Sequence, residues 1–179
     1  EKMFENLKNF RQIIIRLSLD AIGIPGEYFR FPIKWEQFKL KLELMQKYAE
    51  QYSHFDIGVQ WTCSNISMFY LTETFDFMKK HYPNIEFVLA NHVEWPIHMS
   101  AQVLPNQIKE IITNKINDYD FGKKSKKVPF YVNHMNEKDL WSEYSNMFIN
   151  YLDDLDSVRK IDWKTSFKEM ELEKYDYNR

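Results

Sequence analysis

Cysteine is nearly absent from this sequence. Cys63 is the single cysteine among 179 residues, so no internal disulfide framework can form. A free thiol without disulfides is typical of proteins in a reducing compartment. We therefore expect a cytoplasmic protein.

The sequence also lacks a charge bias and a long apolar run. It carries 24 basic and 26 acidic side chains, for a formal net charge of -2, which disfavours broad binding to nucleic acid or acidic membranes. No apolar run approaches the ~20 residues of a membrane-spanning helix, and no signal-peptide pattern opens the chain. We expect neither a membrane nor a nucleic-acid partner. Because the chain begins at Glu1, we expect a fragment, a truncated reading frame or an artificial start.

Hydrophobic and aromatic residues are plentiful. They make up 44% and 17% of the chain, enough for one folded domain with a core. Three short apolar strands, predicted over residues 12–19, 55–62 and 85–90, each end in polar side chains and precede a helical stretch. Such repetition is typical of parallel α/β folds, whose sites lie at the carboxyl ends of the strands.

The predicted order of elements is strand and helix in alternation. Residues 21–26 are expected to form a loop because Gly23, Pro25 and Gly26 interrupt regular structure. Helices are predicted over residues 33–51, 67–81, 105–119 and 137–155. Residues 128–132 suggest a fourth strand, confined by Pro129 to a sheet edge. The tail beyond residue 164 is expected to be loosely ordered.

Four short motifs occur in a characteristic order. Ser18-Leu19-Asp20 ends the first strand and Tyr28-Phe29-Arg30 follows it. Asn65 lies after the second strand, and Leu155-Asp156-Ser157-Val158-Arg159 follows near the end of the chain. Over residues 12–167 the chain resembles the C-terminal portion of a radical S-adenosylmethionine (radical SAM) protein with a twitch or SPASM-like terminal region.

The resemblance implies a fold and a function. The fold would be half of a partial TIM-like (β/α)6 barrel over residues 1–122, with a C-terminal extension and helix over residues 123–179 in the same compact domain. The chain would supply barrel wall, part of the S-adenosylmethionine site and substrate-facing loops. Its partners would be the missing N-terminal half of the barrel and an unknown peptide or small-molecule substrate.

The resemblance also implies the cofactor-binding residues. They would be Ser18, Asp20, Arg30, Gln60 and Asn65, with Arg30 and Ser18 on the methionyl carboxylate and the others on ribose hydroxyls or substrate. Each has a plainer alternative. Arg30 could form an ion pair with Glu27 or Asp20, and the other four could cap or stabilise turns.

One departure from the family limits the expected activity. The family's C-x3-C-x2-C motif supplies three thiolates to a [4Fe–4S] cluster, and a single cysteine cannot replace them. The glycine-rich strand end that holds the cofactor's amino group is missing as well. We therefore expect the cluster only in a longer parent protein and no activity of this chain alone.

A second class of function stays open at this point. The chain could be a non-catalytic α/β binding or scaffold domain. A half-barrel leaves two open sheet edges, which invite pairing between chains, so we expect a homodimer in that case.

Two further features of the sequence could be chemical sites, a group of His and Glu residues and the single cysteine. His92, Glu94 and His98 offer zinc-type ligands, but their spacing matches no established motif and Trp95-Pro96 interrupts any helix that would align them. Cys63 could act as a nucleophile, although a lone cysteine is more often a small buried apolar residue. We therefore assign neither a metal site nor a catalytic residue.

Overall fold

The structure, a computed structural model, describes residues 2–124 and 126–175. The fold is α/β, with three parallel strands in the order β1-β2-β3 that alternate with helices, as the sequence predicts. No helix within the described ranges has both the length and the apolar character to cross a membrane. The strands are β1 (Ile13–Ser18), β2 (Phe55–Cys63) and β3 (Glu86–His92). The helices are α1 (Lys2–Leu7), α2 (Gly23–Phe29), α3 (Trp35–Gln51), α4 (Asn65–Phe69), α5 (Leu71–His81), α6 (Asn106–Asn117), α7 (Val128–Glu137), α8 (Trp141–Arg159) and α9 (Trp163–Ser166).

The chain divides into two compact units. Unit 1 comprises residues 1–61 and 73–90, and unit 2 comprises residues 62–72 and 91–179. The divisions fall within β2, α5 and β3. Each unit has its own set of buried apolar side chains, and the two are described separately below.

The register of β1 on β2 organises unit 1. The two strands pair in parallel from Ile13 opposite Phe55 to Ser18 opposite Gln60. Strand β1 lies at the edge of the sheet, and the side chain of Ile14 is 62% exposed. The run Ile13-Ile14-Ile15 by itself predicts a strand buried on both faces. That prediction is wrong for Ile14, because an edge position leaves part of the strand uncovered.

Helix α3 covers the core of unit 1 with one apolar face, as its spacing predicts. Phe38, Leu42 and Met45 are buried along that face. Tyr48, one turn further on, stacks on Phe4 of α1 with ring centroids 4.4 Å apart. The short helix α1 is thus fixed by an aromatic contact rather than by its own length.

The predicted loop over residues 21–26 is wrong, because α2 begins at Gly23. Gly23 adopts the left-handed φ of 64° that glycine tolerates, which turns the chain into the helix. Pro25 fits in the first turn, where its missing N–H is no loss. A Cβ at Gly26 would collide with the carbonyl oxygen of Ala21, so glycine here permits close packing rather than a loop.

The predicted helix over residues 67–81 is two helices. Ser64 caps α4, since its hydroxyl accepts from the Ser67 N–H at 3.1 Å while the Ser67 hydroxyl accepts from the Ser64 N–H at 2.7 Å. Tyr70 ends α4 with non-helical backbone angles, and α5 starts at the next residue. This early cap moves the helix start two residues before the predicted one.

The predicted fourth strand does not exist, because residues 128–132 belong to α7. Val128, Tyr131 and Met135 are buried at spacings of three and four residues, which is a helical face. Pro129 lies at the start of the helix, where proline is accepted. The β-branched and aromatic composition of this segment misled the prediction, since tertiary packing overrides such propensities.

The C-terminal tail is more ordered than predicted. Asp162 caps α9 by accepting hydrogen bonds from the Lys164 and Thr165 N–H groups. The side chains of Trp163, Phe167 and Leu172 are at most 1% exposed. The expectation of a loose tail is therefore wrong as far as residue 175, because these side chains belong to the core of unit 2. Residues 176–179 lie outside the described ranges.

Candidate functional site

The carboxyl end of β1 carries two of the predicted site residues. Ser18 and Gln60 are register partners on β1 and β2, and the Leu19 N–H donates to the Gln60 carbonyl at 3.0 Å. Both side chains are exposed. Pairing in register brings a hydroxyl and a carboxamide to the same end of the sheet, so both are accessible to a ligand.

Asp20 and Arg30 form an ion pair just beyond this strand end. Arg30 Nη2 lies 2.6 Å from Asp20 Oδ2, and the two side chains are 37% and 12% exposed. Burial raises the pKa of the Asp20 carboxyl, and the neighbouring guanidinium partly opposes that rise. Of the two carboxylates weighed as partners for Arg30, the structure selects Asp20.

Glu27 has a different role. Its Oε1 accepts from the Trp35 N–H at 2.9 Å, and its Oε2 contacts Lys34 Nζ at 3.0 Å. The carboxylate therefore holds the first turn of α3, where a negative charge is favoured. The sequence of residues 33–36 did not predict this contact, because the capping side chain comes from the preceding helix, α2.

The guanidinium of Arg30 retains hydrogen-bonding capacity. Within the described ranges, its Nε has no hydrogen-bond partner and is shielded from solvent. A small cavity of about 10 Å³ lies beside it, lined in part by Leu19, Gly26 and Phe38. This volume suits about one water molecule. A larger ligand would therefore have to approach Arg30 from its exposed side.

Asn65 belongs to unit 2 and is fully buried. Its Nδ2 donates to the His98 carbonyl at 2.9 Å, and its Oδ1 accepts from the Ile66 N–H at 2.9 Å. Both ends of the amide are thus used inside the unit. The side chain anchors the segment around His98 to the start of α4, and it has no exposed surface to offer a ligand.

Cys63 is also fully buried in unit 2. Burial raises the pKa of the thiol well above its ordinary value, so the thiolate needed by a nucleophile or a metal ligand is disfavoured. Across the part of the chain that the structure describes, no group of three or more His, Cys, Asp or Glu side chains is arranged to hold a metal ion. Cys63 packs as the small apolar residue that the sequence offered as an alternative.

The histidines of the weighed zinc cluster have separate environments. His92 Nε2 lies 3.0 Å from Glu94 Oε1. The His98 ring packs against Tyr151 with centroids 4.9 Å apart, and neither of its ring nitrogens has a hydrogen-bond partner in the described ranges. His92 instead has a histidine neighbour that sequence reasoning missed, His134 on α7, with ring centroids 3.9 Å apart. Predicting a helix over residues 128–137 would have been the first step toward finding this pair.

Two acidic residues near the end of α8, Asp153 and Asp156, form hydrogen bonds with Trp163. Asp153 Oδ1 accepts from the Trp163 Nε1–H at 2.8 Å, and Asp156 Oδ2 accepts from the Trp163 N–H at 2.7 Å. Two of the acidic residues thus hold the indole and the backbone of one buried tryptophan. In the matched motif, Asp156 has a structural contact.

No model of a known protein family matches this chain, and neither a curated protein nor a solved structure matches it at a significant level. The class of protein is therefore argued from the strand-end residues themselves. In unit 1 these offer an exposed hydroxyl, an exposed carboxamide and a guanidinium braced by a buried carboxylate. Such a set suits the recognition of a ligand that carries a carboxylate and hydroxyl groups.

Proposed function

We propose that this chain is the C-terminal portion of a radical SAM enzyme, and that Ser18, Arg30 and Gln60 contribute to its S-adenosylmethionine site. The observation that carries the proposal is the Asp20–Arg30 ion pair at the carboxyl end of β1. A buried carboxylate fixes one edge of the guanidinium, while the rest of this planar group stays partly exposed. A fork held in this way is preorganised for a carboxylate.

The residues of unit 1 fit S-adenosylmethionine in their chemistry. Arg30 would bind the methionyl carboxylate through the donors on the exposed side of its guanidinium. The Ser18 hydroxyl would donate to the same carboxylate, and the Gln60 amide would bond ribose hydroxyls. Asp20 would act through Arg30, as a positioning residue. Bound beside a cluster in the full protein, S-adenosylmethionine is the source of a 5′-deoxyadenosyl radical.

The chain does not fit a [4Fe–4S] cluster. It has one cysteine, and burial of Cys63 holds its thiol protonated. The cluster ligands would come from the N-terminal half of the barrel, which is the principal partner in this proposal. Alone, the chain would bind but not cleave the cofactor. The substrate would be a peptide or a small metabolite, and the location would be the cytoplasm, where cluster and free thiol both stay reduced.

The test is a calorimetric titration of the chain with S-adenosylmethionine and with its decarboxylated analogue. We expect Arg30→Gln to weaken binding of S-adenosylmethionine about tenfold or more, as loss of a charge-assisted bidentate contact costs about 1.5–3 kcal/mol. The analogue lacks the carboxylate, so the same substitution should leave its binding unchanged. Ser18→Ala, at an exposed side chain, should weaken S-adenosylmethionine binding a few-fold.

The matched control is Arg11→Gln, which removes the same charge from an exposed position outside the strand end. Its affinity should equal that of the unaltered chain. Circular dichroism of each variant shows whether the fold is retained. No binding by the unaltered chain, or equal losses for both ligands in Arg30→Gln, would overturn the assignment of the site.

A scaffold function is the second candidate, and the open edge of β1 favours it. Ile14 is 62% exposed on that strand. Edge strands with exposed apolar side chains pair readily with other chains. Sedimentation velocity should then show a dimer that Ile14→Lys dissociates and Leu40→Lys does not, since Leu40 is similarly exposed but lies on α3. A monomer at high concentration would eliminate this candidate.

A further inference from the structure

A cavity of about 320 Å³ opens in unit 2 at the end of β3. His92 forms one wall. The other wall consists of Phe130, Asn133, His134 and Glu137 on α7; Asn133 and His134 each lie three or four residues from Phe130 and from Glu137. These positions form one face of a helix. The volume lies at the lower end of the range for small-molecule sites.

Aromatic rings dominate this cavity. Phe130 is 57% exposed, and its ring centroid lies 5.6 Å from that of His92. His92 in turn lies 3.9 Å from the ring of His134, with the two planes inclined by 34°. An exposed phenyl face beside two imidazoles is the kind of surface that attracts a cation when the imidazoles are neutral.

Among the five lining residues the one fixed charge is negative, the carboxylate of Glu137. None of the five lining residues is Lys or Arg. The Glu137 carboxylate is 64% exposed, accepts from Gln102 Nε2 at 3.3 Å through Oε2, and lies 4.0 Å from His134 Nδ1. Glu94, which contacts His92, is 80% exposed. A carboxylate has about four lone-pair directions, so Glu137 retains acceptor capacity.

His134 is half-buried, and its surroundings favour the neutral form of the imidazole. Burial is the first cause that lowers the pKa of His134, and the neighbouring His92 adds to it; Glu137 and Glu94 oppose the shift, and Lys138 reinforces it. On α6, Lys109 Nζ donates to the Lys138 carbonyl at 2.8 Å. At neutral pH the cavity therefore combines aromatic rings, among them the neutral His134 imidazole, with exposed carboxylates.

A shared metal ion is a poorer occupant. Two imidazoles on one tetrahedral zinc, with Zn–N bonds near 2.0 Å, have ring centroids about 5 Å apart. The rings of His92 and His134 are stacked at 3.9 Å, and His92 Nε2 is engaged by Glu94. Binding one metal through both rings would require them to separate.

We propose that this cavity binds a primary alkylammonium group, such as the head of a lysine side chain or of a polyamine. The ammonium would donate to the Glu137 carboxylate and the Asn133 amide oxygen while it lies against the Phe130 ring. Its alkyl chain would contact the imidazoles. This inference rests on unit 2 alone and is independent of the proposed cofactor site.

The test uses n-butylammonium chloride as the probe and n-butanol as its neutral counterpart. Binding to the full chain is followed at pH 8 by the NMR signals of the histidine ring protons. We expect saturable shifts of His92 and His134 with n-butylammonium, with a dissociation constant in the millimolar range, and much smaller shifts with n-butanol. Lowering the pH from 8 to 5 should weaken binding, because protonation of the His134 imidazole places a positive charge beside the probe.

Two variants and one matched control locate the site. Glu137→Gln should weaken binding at least fivefold, and Phe130→Leu should weaken it two- to fivefold. Glu110→Gln, an exposed position on α6 with the same charge change, should have no effect. Equal shifts with n-butanol, equal losses in Glu110→Gln, or shifts that appear only when Zn²⁺ is added would each overturn the proposal.

Discussion

The two units treat their charged groups differently. In unit 1, arginines meet carboxylates: Arg16 lies 2.8 Å from Asp56 and 3.7 Å from Glu86, and Arg30 lies 2.6 Å from Asp20. In unit 2, two ionisable side chains that are shielded from solvent have an uncharged hydrogen-bond partner or none. Lys109 is 3% exposed and donates to a backbone carbonyl, and the ring nitrogens of His98 have no hydrogen-bond partner in the described ranges.

This difference follows from the elements that build each unit. Neighbouring strands of a parallel sheet hold side chains in fixed register, so Arg16 on β1 meets Asp56 on β2. Helix ends offer backbone carbonyls instead, and these accept from Lys109 without neutralising it. Unit 1 is therefore sensitive to the loss of one partner of a charge pair, whereas unit 2 is sensitive to protonation.

The largest expected effect on stability comes from removing one partner of the Asp20–Arg30 ion pair in unit 1. Arg30→Gln leaves the Asp20 carboxylate, only 12% exposed, without its cation. We expect a loss of about 2 kcal/mol in the free energy of unfolding at pH 7. This is less than the 3–5 kcal/mol typical of fully buried pairs, since the guanidinium is partly solvated. Urea unfolding followed by tryptophan fluorescence measures it.

The sign of the pH dependence provides a check on that loss. The pKa of Asp20 is already raised by burial and would rise further without Arg30, so protonation would relieve the unpaired charge. The loss in the free energy of unfolding caused by Arg30→Gln should thus shrink between pH 7 and pH 4. Adding Asp20→Asn to the Arg30→Gln variant should restore much of the lost stability at pH 7. A deficit that is constant with pH would contradict a charge-pair origin. Arg11→Gln should remain within about 0.5 kcal/mol of the unaltered chain.

In unit 2 we expect a smaller effect, a dependence of stability on pH that arises from His98. Burial lowers the pKa of His98 in the folded state below its ordinary value. The unfolded chain therefore binds more protons, and stability present above pH ~6.5 is lost as the pH falls through the folded-state pKa. His98→Phe should flatten this loss between pH 7 and pH 5, measured as the change in urea midpoint with pH.

The stability of the His98→Phe variant should still depend on pH, and His134 is the expected source of that dependence. Burial also lowers the pKa of His134, so part of the acid sensitivity should persist after His98→Phe. At pH 7 the variant should stay within about 1 kcal/mol of the unaltered chain, because the imidazole contributes no hydrogen bond there. His81→Phe, at an exposed position of α5, is the control. An equal flattening in His81→Phe would exclude burial as the cause.

The two proposed sites extend the same contrast to ligands. The strand end of unit 1 presents a braced cation and is proposed for a carboxylate, whereas the cavity of unit 2 presents acidic groups and rings and is proposed for an ammonium group. Raised salt should therefore weaken both ligands, while acidification to pH 5 should weaken only the ammonium probe appreciably.

The sequence predicted the framework well where periodicity was long and regular. The three strands lie within two residues of their predicted bounds, and α3 and α6 have the apolar faces that their spacing indicated. Short segments failed. Residues 23–29 and 128–137 carry glycine, proline and β-branched residues that mimic a loop and a strand, and only contacts with distant side chains made them helical.

For the candidate site, the sequence named the residue types but not their pairing. It offered Glu27 and Asp20 equally to Arg30, and the geometry selects Asp20 because Glu27 is occupied at the start of α3. It grouped Asn65 with the strand-end residues, yet the amide is buried and used on both sides. The His92–His134 pair was missed, since its members come from segments 42 residues apart in the sequence.

The sequence by itself determined that this is an α/β chain of alternating strands and helices with polar residues at the strand ends. The reason is that hydrophobic periodicity and turn chemistry are local properties. Tertiary structure alone decided which polar side chains are exposed, which are paired and which are buried without charge compensation. Those outcomes depend on distances between residues far apart in the chain, and distance and desolvation control the energies of charged groups.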